Sequence, residues 1–328
     1  MKTSFSKIAA SFGVLLALFT SNVSAAPVTE VRLDYAYWSP ESLVIKRKGW
    51  LEEAFKPQGA SEKWLFSRGS NNSLEFHNSG ATDFALSASI SALVARSNGQ
   101  PVKSIFNYVW SEPSAIVVRP DSPYKKLTDL KGKKIAATKA TNPYFFLLRA
   151  LEANGLKTSD VEIVHLQHPD GLLALQQGHV DAWAGLDPHL AAAEKEGDRF
   201  IYRNLEFRAA NFLSTSDTYL REHPDVVRSV IRVYERARRW IIENPEETAT
   251  ILSEESKQPV DVIKLQLARY DFSDPFPGDA QRATLKVLIP ILAQEGIVKS
   301  KDAAEQALNT LIDDAPVKEV VNNYTAAR

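Results

Sequence analysis

Hydroxyl and amide side chains gather in short runs beside helix-starting prolines or between apolar stretches: Tyr37-Trp38-Ser39-Pro40, Ser70-Asn71-Asn72-Ser73, Ser87-Ala88-Ser89 and Thr141-Asn142-Pro143-Tyr144. Such residues cap helices, and where several helices start together their O–H groups and unpaired N–H groups can hold an anion. The candidate ligand contacts are therefore Ser39, Ser70, Asn71, Ser87, Ala88, Ser89, Thr141 and Asn142. Tyr37, Trp38 and Tyr144, next to these runs, would wall an organic tail and are poor partners for a bare inorganic ion. Asp187, before Pro188, has the opposite chemistry. A carboxylate only accepts, so Asp187 either caps the helix that Pro188 opens or reads an ammonium or hydroxyl group. Arg68 and Lys139 lie near the same loops as basic contacts, and His189 could donate to an anion or serve its helix cap. His165, His168 and Asp170 hint at a metal, but a spacing of three along a strand sends the two rings to opposite faces. Residues 168–171 are expected as a loop at the mouth of the site, and no metal or cofactor is expected. No Gly-x-Ser-x-Gly elbow, no His-Glu-x-x-His helix and no cysteine nucleophile is present.

The elements that must position these residues repeat one plan of strand, polar cap and short helix closed by glycine. A strand over 31–37 leads to Ser39 as N-cap, Pro40 as first helical residue and Gly49 as the end. A strand over 63–67 leads through a turn at 70–73 to a helix ending near Gly80, and one over 83–87 leads to Ser89 and a helix ending at Gly99. Residues 133–138 precede Asn142-Pro143, a helix over 144–154 and Gly155, while 180–185 precede Asp187-Pro188 and a helix that Gly197 ends. Five such units predict an α/β protein with parallel sheets. In open α/β sheets ligands bind at the carboxyl ends of the strands, where all of these caps fall. Helices are expected over 224–244, 259–268 and 280–296, with a Pro-rich loop at 271–277. Short strands over 114–119 and 211–216 bracket the middle of the chain. If the chain crosses between domains there, 118–212 form one lobe and 26–117 plus 213–328 the other.

Residues 1–25 have the form of a secretory signal peptide: Lys2 and Lys7, an apolar run over 8–19, and Val23-Ser24-Ala25 as a cleavage site. Without cysteine the exported product can carry neither a lipid anchor nor a disulfide, which fits a free protein in a Gram-negative periplasm. Once Lys2 and Lys7 leave, 37 basic face 40 acidic residues, a net charge near −3 that gives no footprint for nucleic acid. The only methionine is Met1. The mature chain would thus hold no sulfur, an economy that suits a protein made while sulfur is scarce.

The run Asp121-Ser122-Pro123 to Leu127, followed by Asp129-Leu130-Lys131-Gly132-Lys133-Lys134-Ile135-Ala136, resembles solute-binding proteins of ABC importers. Gly178-His179-Val180-Asp181-Ala182-Trp183-Ala184 with Asp187-Pro188 is similar to the branch that binds aliphatic sulfonates, taurine and related oxyanions, and so are Ala237, Trp240, Ile241 and Asn244-Pro245 near the C-terminal end. The resemblance implies a type II periplasmic binding fold, two α/β lobes joined by two crossing strands around a cleft. It implies a monomer that captures a small organic anion, a sulfonate or sulfate ester, and delivers it to a membrane permease without chemistry. Nitrate or a thiamine precursor as ligand, or a sensing domain that signals to a membrane receptor, are the alternatives. Arg228, Arg232, Arg236 and Arg239 recur along one helix as a solvated face, or as a surface that docks on the permease.

Overall fold

The computed structural model describes residues 27–112 and 114–326. Residues 1–25, expected as a signal peptide cut after Ala25, lie outside the described residues. In chain order the strands are β1 (Glu30–Tyr35), β2 (Ser61–Phe66), β3 (Phe84–Ala88), β4 (Val102–Ser111), β5 (Ile116–Val118), β6 (Lys134–Ala137), β7 (Glu162–His165), β8 (Ala182–Ala184), β9 (Arg199–Tyr202), β10 (Ala209–Ser216) and β11 (Tyr270–Asp271). They form a parallel pair β1-β2, a four-stranded sheet in the order β11-β4-β10-β3 whose neighbours are all antiparallel, contrary to the parallel sheets expected, and a five-stranded sheet in the order β7-β6-β8-β5-β9. The chain leaves the four-stranded sheet after β4, enters the five-stranded one at β5, and returns between β9 and β10. In the five-stranded sheet β6 runs parallel to β7 and β8, while β5 runs antiparallel to β8 and β9.

The β1-β2 pair is separated from β3 by side chains rather than by a ladder. Where a backbone acceptor would face β3, the Leu86 N–H donates to Asp34 Oδ1 at 3.0 Å and to Ser73 Oγ at 2.8 Å. Asp34 also accepts from the Ser67 hydroxyl. Nearby, the Arg32 N–H donates to Asp83 Oδ2 at 2.8 Å. The strands are held side by side because polar residues of β1 and its neighbours supply the missing acceptors.

Several boundaries differ from the sequence expectation for identifiable reasons. Residues 70–73 are the first turn of a helix, Ser70–Asn78, rather than a free turn. Ser70 Oγ accepts from the Ala88 N–H at 3.0 Å, so Ser70 and Ser73 both spend their oxygens on tying this helix to β3. The strand expected over 31–37 ends at Tyr35, which leaves Tyr37 and Trp38 in the loop above it. The helix expected over 280–296 is two, Asp279–Lys286 and Ile289–Gln294. Pro290 lacks the N–H that would continue the first. Residues 168–171 are not a loop: His168 is the first residue of the helix His168–Gln176, with Pro169 at its second position.

Apolar packing is shared across the two sheets. Ala88, Ile90 and Leu93, from the end of β3 and the helix Ser89–Ser97, belong to one cluster with Phe145, Phe146 and Leu147 of the helix Asn142–Ala153. The long helix Pro224–Glu243 buries Val227, Val230, Ile231, Tyr234 and Ala237 against β4 and its neighbours.

Candidate ligand-binding cleft

The carboxyl ends of β1, β2, β6, β7 and β8 converge on one cleft between the β1-β2 pair and the five-stranded sheet. A cavity of about 120 Å³ opens there, lined by Tyr37, Trp38, Phe66, His168, Asp187 and His189, with Arg68 at its edge. Tyr37 packs on Phe66 with ring centroids 4.7 Å apart, so one wall is aromatic. An apolar cavity of about 150 Å³ can hold benzene, which sets the scale of the organic group that fits. A separate, smaller cavity of about 30 Å³ is lined by Ser89, Asn142, Phe145, Arg149 and Phe207. The Arg149 guanidinium stacks 3.7 Å from the centre of the Phe207 ring and has no carboxylate partner among the described residues.

The two sides meet closely at Gly69. A Cβ there would lie 2.6 Å from Asn71 Oδ1, 3.3 Å from Thr141 Cγ2 and 3.4 Å from His168 Nε2, so a larger residue would have to displace the Asn71 amide and crowd the other two. Ion pairs also cross the cleft. Arg68 bonds Asp170 at 2.7 Å, and the buried Arg269 bonds Asp187 at 2.9 Å and also Glu194. Gln266 Nε2 donates to the Tyr37 carbonyl at 3.0 Å, and the Tyr270 hydroxyl donates to the Trp38 carbonyl at 3.3 Å. Residues some 230 positions downstream thus hold the loop that carries the aromatic wall.

Four buried polar atoms around this cleft have no hydrogen-bond partner: Trp38 Nε1, Asn71 Oδ1, Ser87 Oγ and His168 Nε2. Tyr108, Tyr234 and Glu41 have unpaired polar atoms in the core as well, so it is their position at the cleft that makes these four candidates to meet a ligand. Trp38 and Ser87 can donate as they stand, and the Asn71 amide needs only a flip to present its NH₂.

The other candidate residues divide by use. Asp187 and Tyr37 line the larger cavity, Ser89 and Asn142 the smaller one. Ser39 is wholly buried and accepts from the Ser42 N–H at 3.4 Å as the cap of its helix. Ala88 is the N-cap residue of the helix Ser89–Ser97 and carries the N–H that Ser70 accepts. Thr141 donates to the Thr138 carbonyl at 2.6 Å and turns its methyl toward Gly69. Tyr144 lines neither cavity; it packs edge-on against Phe145 and His165 at 5.5 and 5.6 Å. Asp187 does cap: its Oδ1 accepts from the Ala191 N–H at 2.9 Å. Burial pushes its carboxyl up to about 6 although Arg269 pulls the other way. Burial lowers His168 to about 3 and His189 to about 4, so both rings are neutral at neutral pH. Arg269, Gln266 and Tyr270 were not legible as site residues, since nothing near them in the sequence marks them.

Two α/β units with crossing strands and a ligand cleft at the strand ends define the periplasmic-binding-protein fold. The chain belongs to the NMT1/THI5-like family, whose model matches residues 42–248. It is 28% identical over 280 residues to an aliphatic sulfonates-binding protein of Escherichia coli (strain K12), covering 83% of this chain and 86% of that one. It is 31% identical over 146 residues to the taurine-binding periplasmic protein of the same strain, covering 43% of each. Among solved structures, the alkanesulfonate-binding protein SsuA of Xanthomonas axonopodis pv. citri, bound to MOPS, superposes with a TM-score of 0.78 at 23% identity, covering 89% of this chain and 100% of that one.

Proposed function

We propose that the protein is the solute-binding component of an ABC importer and captures a small organosulfur anion, an aliphatic sulfonate, for delivery to a membrane permease. The observation that carries this reading is the pair of buried donors without partners, Trp38 Nε1, whose residue lines the larger cavity, and Ser87 Oγ, two residues before the helix start at Ser89. A sulfonate has three acceptor oxygens and one charge, which such a rim serves without a basic anchor. The aromatic cavity takes the organic part, which argues against bare nitrate or sulfate. The sulfonate- and taurine-binding relatives point the same way. No helix among the described residues is long and apolar enough to cross a membrane, and the relatives include periplasmic binding proteins. Export through cleavage after Ala25, residence in the periplasm, action as a monomer and binding without chemistry complete the reading. Residues 26–117 with 213–328 make one lobe and 118–212 the other, a division supported by the membership of the two larger sheets.

Replacing Ser89 or Asn142 with Asp tests the anion rim. A carboxylate at a helix start favours the helix through its dipole but repels a bound anion. Both variants should keep the thermal stability of the parent and lose sulfonate binding by at least tenfold. Unchanged affinity in both would refute the assignment of the rim.

A further inference from the structure

His168 carries information about the ligand that the anion rim does not. Its Nδ1 lies 3.1 Å from Thr138 Oγ1, and that hydroxyl lies 2.7 Å from the Leu166 carbonyl. A hydroxyl has one proton. Only one arrangement makes hydrogen bonds of both contacts: Thr138 donates to Leu166 and accepts from His168 Nδ1–H. The ring, being neutral, then presents Nε2 as a bare lone pair. That atom is buried and unpartnered, and the ring lines the 120 Å³ cavity. Asp187 lines the same cavity with Oδ1 already taken by the Ala191 N–H and Arg269, and its Oδ2 has no hydrogen bond among the described residues. Both groups accept and neither donates. A sulfonate, itself acceptor-only, is the wrong partner for these two, whereas Trp38 Nε1 and the Arg68 guanidinium lining the same cavity can donate, so the cavity holds donors for a sulfonate and acceptors for a donor-bearing end.

We infer that this cavity selects sulfonates that carry a hydrogen-bond donor, an amino or hydroxyl group, at the end remote from the sulfonate, and that His168 Nε2 is the atom that reads it. The inference rests on the sulfonate reading above and narrows it. An alkanesulfonate without a donor would fill the cavity yet leave Nε2 desolvated and unpaired, the situation in which binding sites discriminate most strongly.

Calorimetry with three ligands that share one two-carbon sulfonate chain tests this: ethanesulfonate has no donor, isethionate a hydroxyl and taurine an ammonium. At least one of the last two should bind the parent protein ten times more tightly than ethanesulfonate. In His168→Phe that advantage should fall below threefold, and a tenfold advantage kept by His168→Phe overturns the assignment to His168. Ethanesulfonate binding the parent as tightly as both donor-bearing ligands overturns the inference while leaving the sulfonate reading intact. Failure of all three to bind overturns both. Should the variant fold poorly, nitrogen-15 NMR of the parent protein's histidines decides. The ring of His168 should carry its proton on Nδ1, and its Nε2 signal should move on adding the preferred ligand but not ethanesulfonate. A proton on Nε2 in the free protein contradicts the inference.

Discussion

Glu41 is wholly buried at the second position of the helix Pro40–Lys48, and neither carboxyl oxygen has a hydrogen-bond partner. Burial pushes its carboxyl up to about 8, against a weaker pull from Arg238. The folded chain therefore keeps this proton over a range in which the unfolded chain has lost it. Folding stability tied to Glu41 is present at low pH and declines as pH rises from about 4.5 to about 8, by up to about 1.4 kcal/mol per pH unit. His77, His168 and His189 act in the other sense. Burial lowers them to about 4, 3 and 4, so their contribution is present above about 6.5 and is lost as pH falls. Between pH 6.5 and 8 the Glu41 slope should dominate, because Asp34 and Asp187, each raised to about 6, are already ionised there. Denaturant unfolding at both pH values should show the parent less stable at pH 8 and Glu41→Gln nearly flat. An equal slope in the two proteins would show that Glu41 is not the cause. The identity of Glu41 gave no hint of this, since a glutamate after Pro40 reads as an ordinary first-turn acid.

The elements around the cleft were largely legible, because caps are local. Ser39-Pro40, Asn142-Pro143 and Asp187-Pro188 each mark a helix start to within two residues, and Gly49 ends its helix at φ +65°. What was not legible is what crosses from one element to another. Arg269 sits just past the helix Val260–Ala268 and reaches Asp187 and Glu194, residues 82 and 75 positions away. Its charge is almost wholly buried, so removing it strands the Asp187 carboxylate. Arg269→Met should cost about 3–5 kcal/mol of stability, the usual effect of breaking a buried pair. The double variant Arg269→Met with Asp187→Asn should recover part of that loss, as coupled neighbours do. Full additivity of the two single effects in thermal unfolding would show that the pair is not coupled. Small-angle scattering should also give the ligand-free Arg269→Met protein a larger radius of gyration, because this contact spans the cleft. The arginine row on the helix Pro224–Glu243 reads differently in three dimensions. Arg228 pairs with Asp225 and Glu319, Arg236 with Glu53, and Arg239 with Glu235. Partners outside the row neutralise most of it, which favours a solvated face over a docking surface.

At the scale of the molecule, one apolar cluster runs from the helix Ser89–Ser97 to the helix Asn142–Ala153 and joins the two sheets behind the cleft. The missing sulfur belongs to this scale too, as it concerns when the protein is made rather than how it binds. Cysteine is absent and Met1 is the only methionine, so a chain cut as proposed after Ala25 would hold no sulfur. Production should rise when sulfate is withdrawn, and strong production on sulfate-replete medium would break that link without touching the binding assignment. The central claim is tested most directly by calorimetry of the mature chain against short alkanesulfonates and taurine, with nitrate, inorganic sulfate and a pyrimidine precursor of thiamine beside them. At least one sulfonate should bind with a micromolar or tighter Kd while nitrate and sulfate do not bind. Tight binding of nitrate or the pyrimidine, with no binding of any sulfonate, would contradict it.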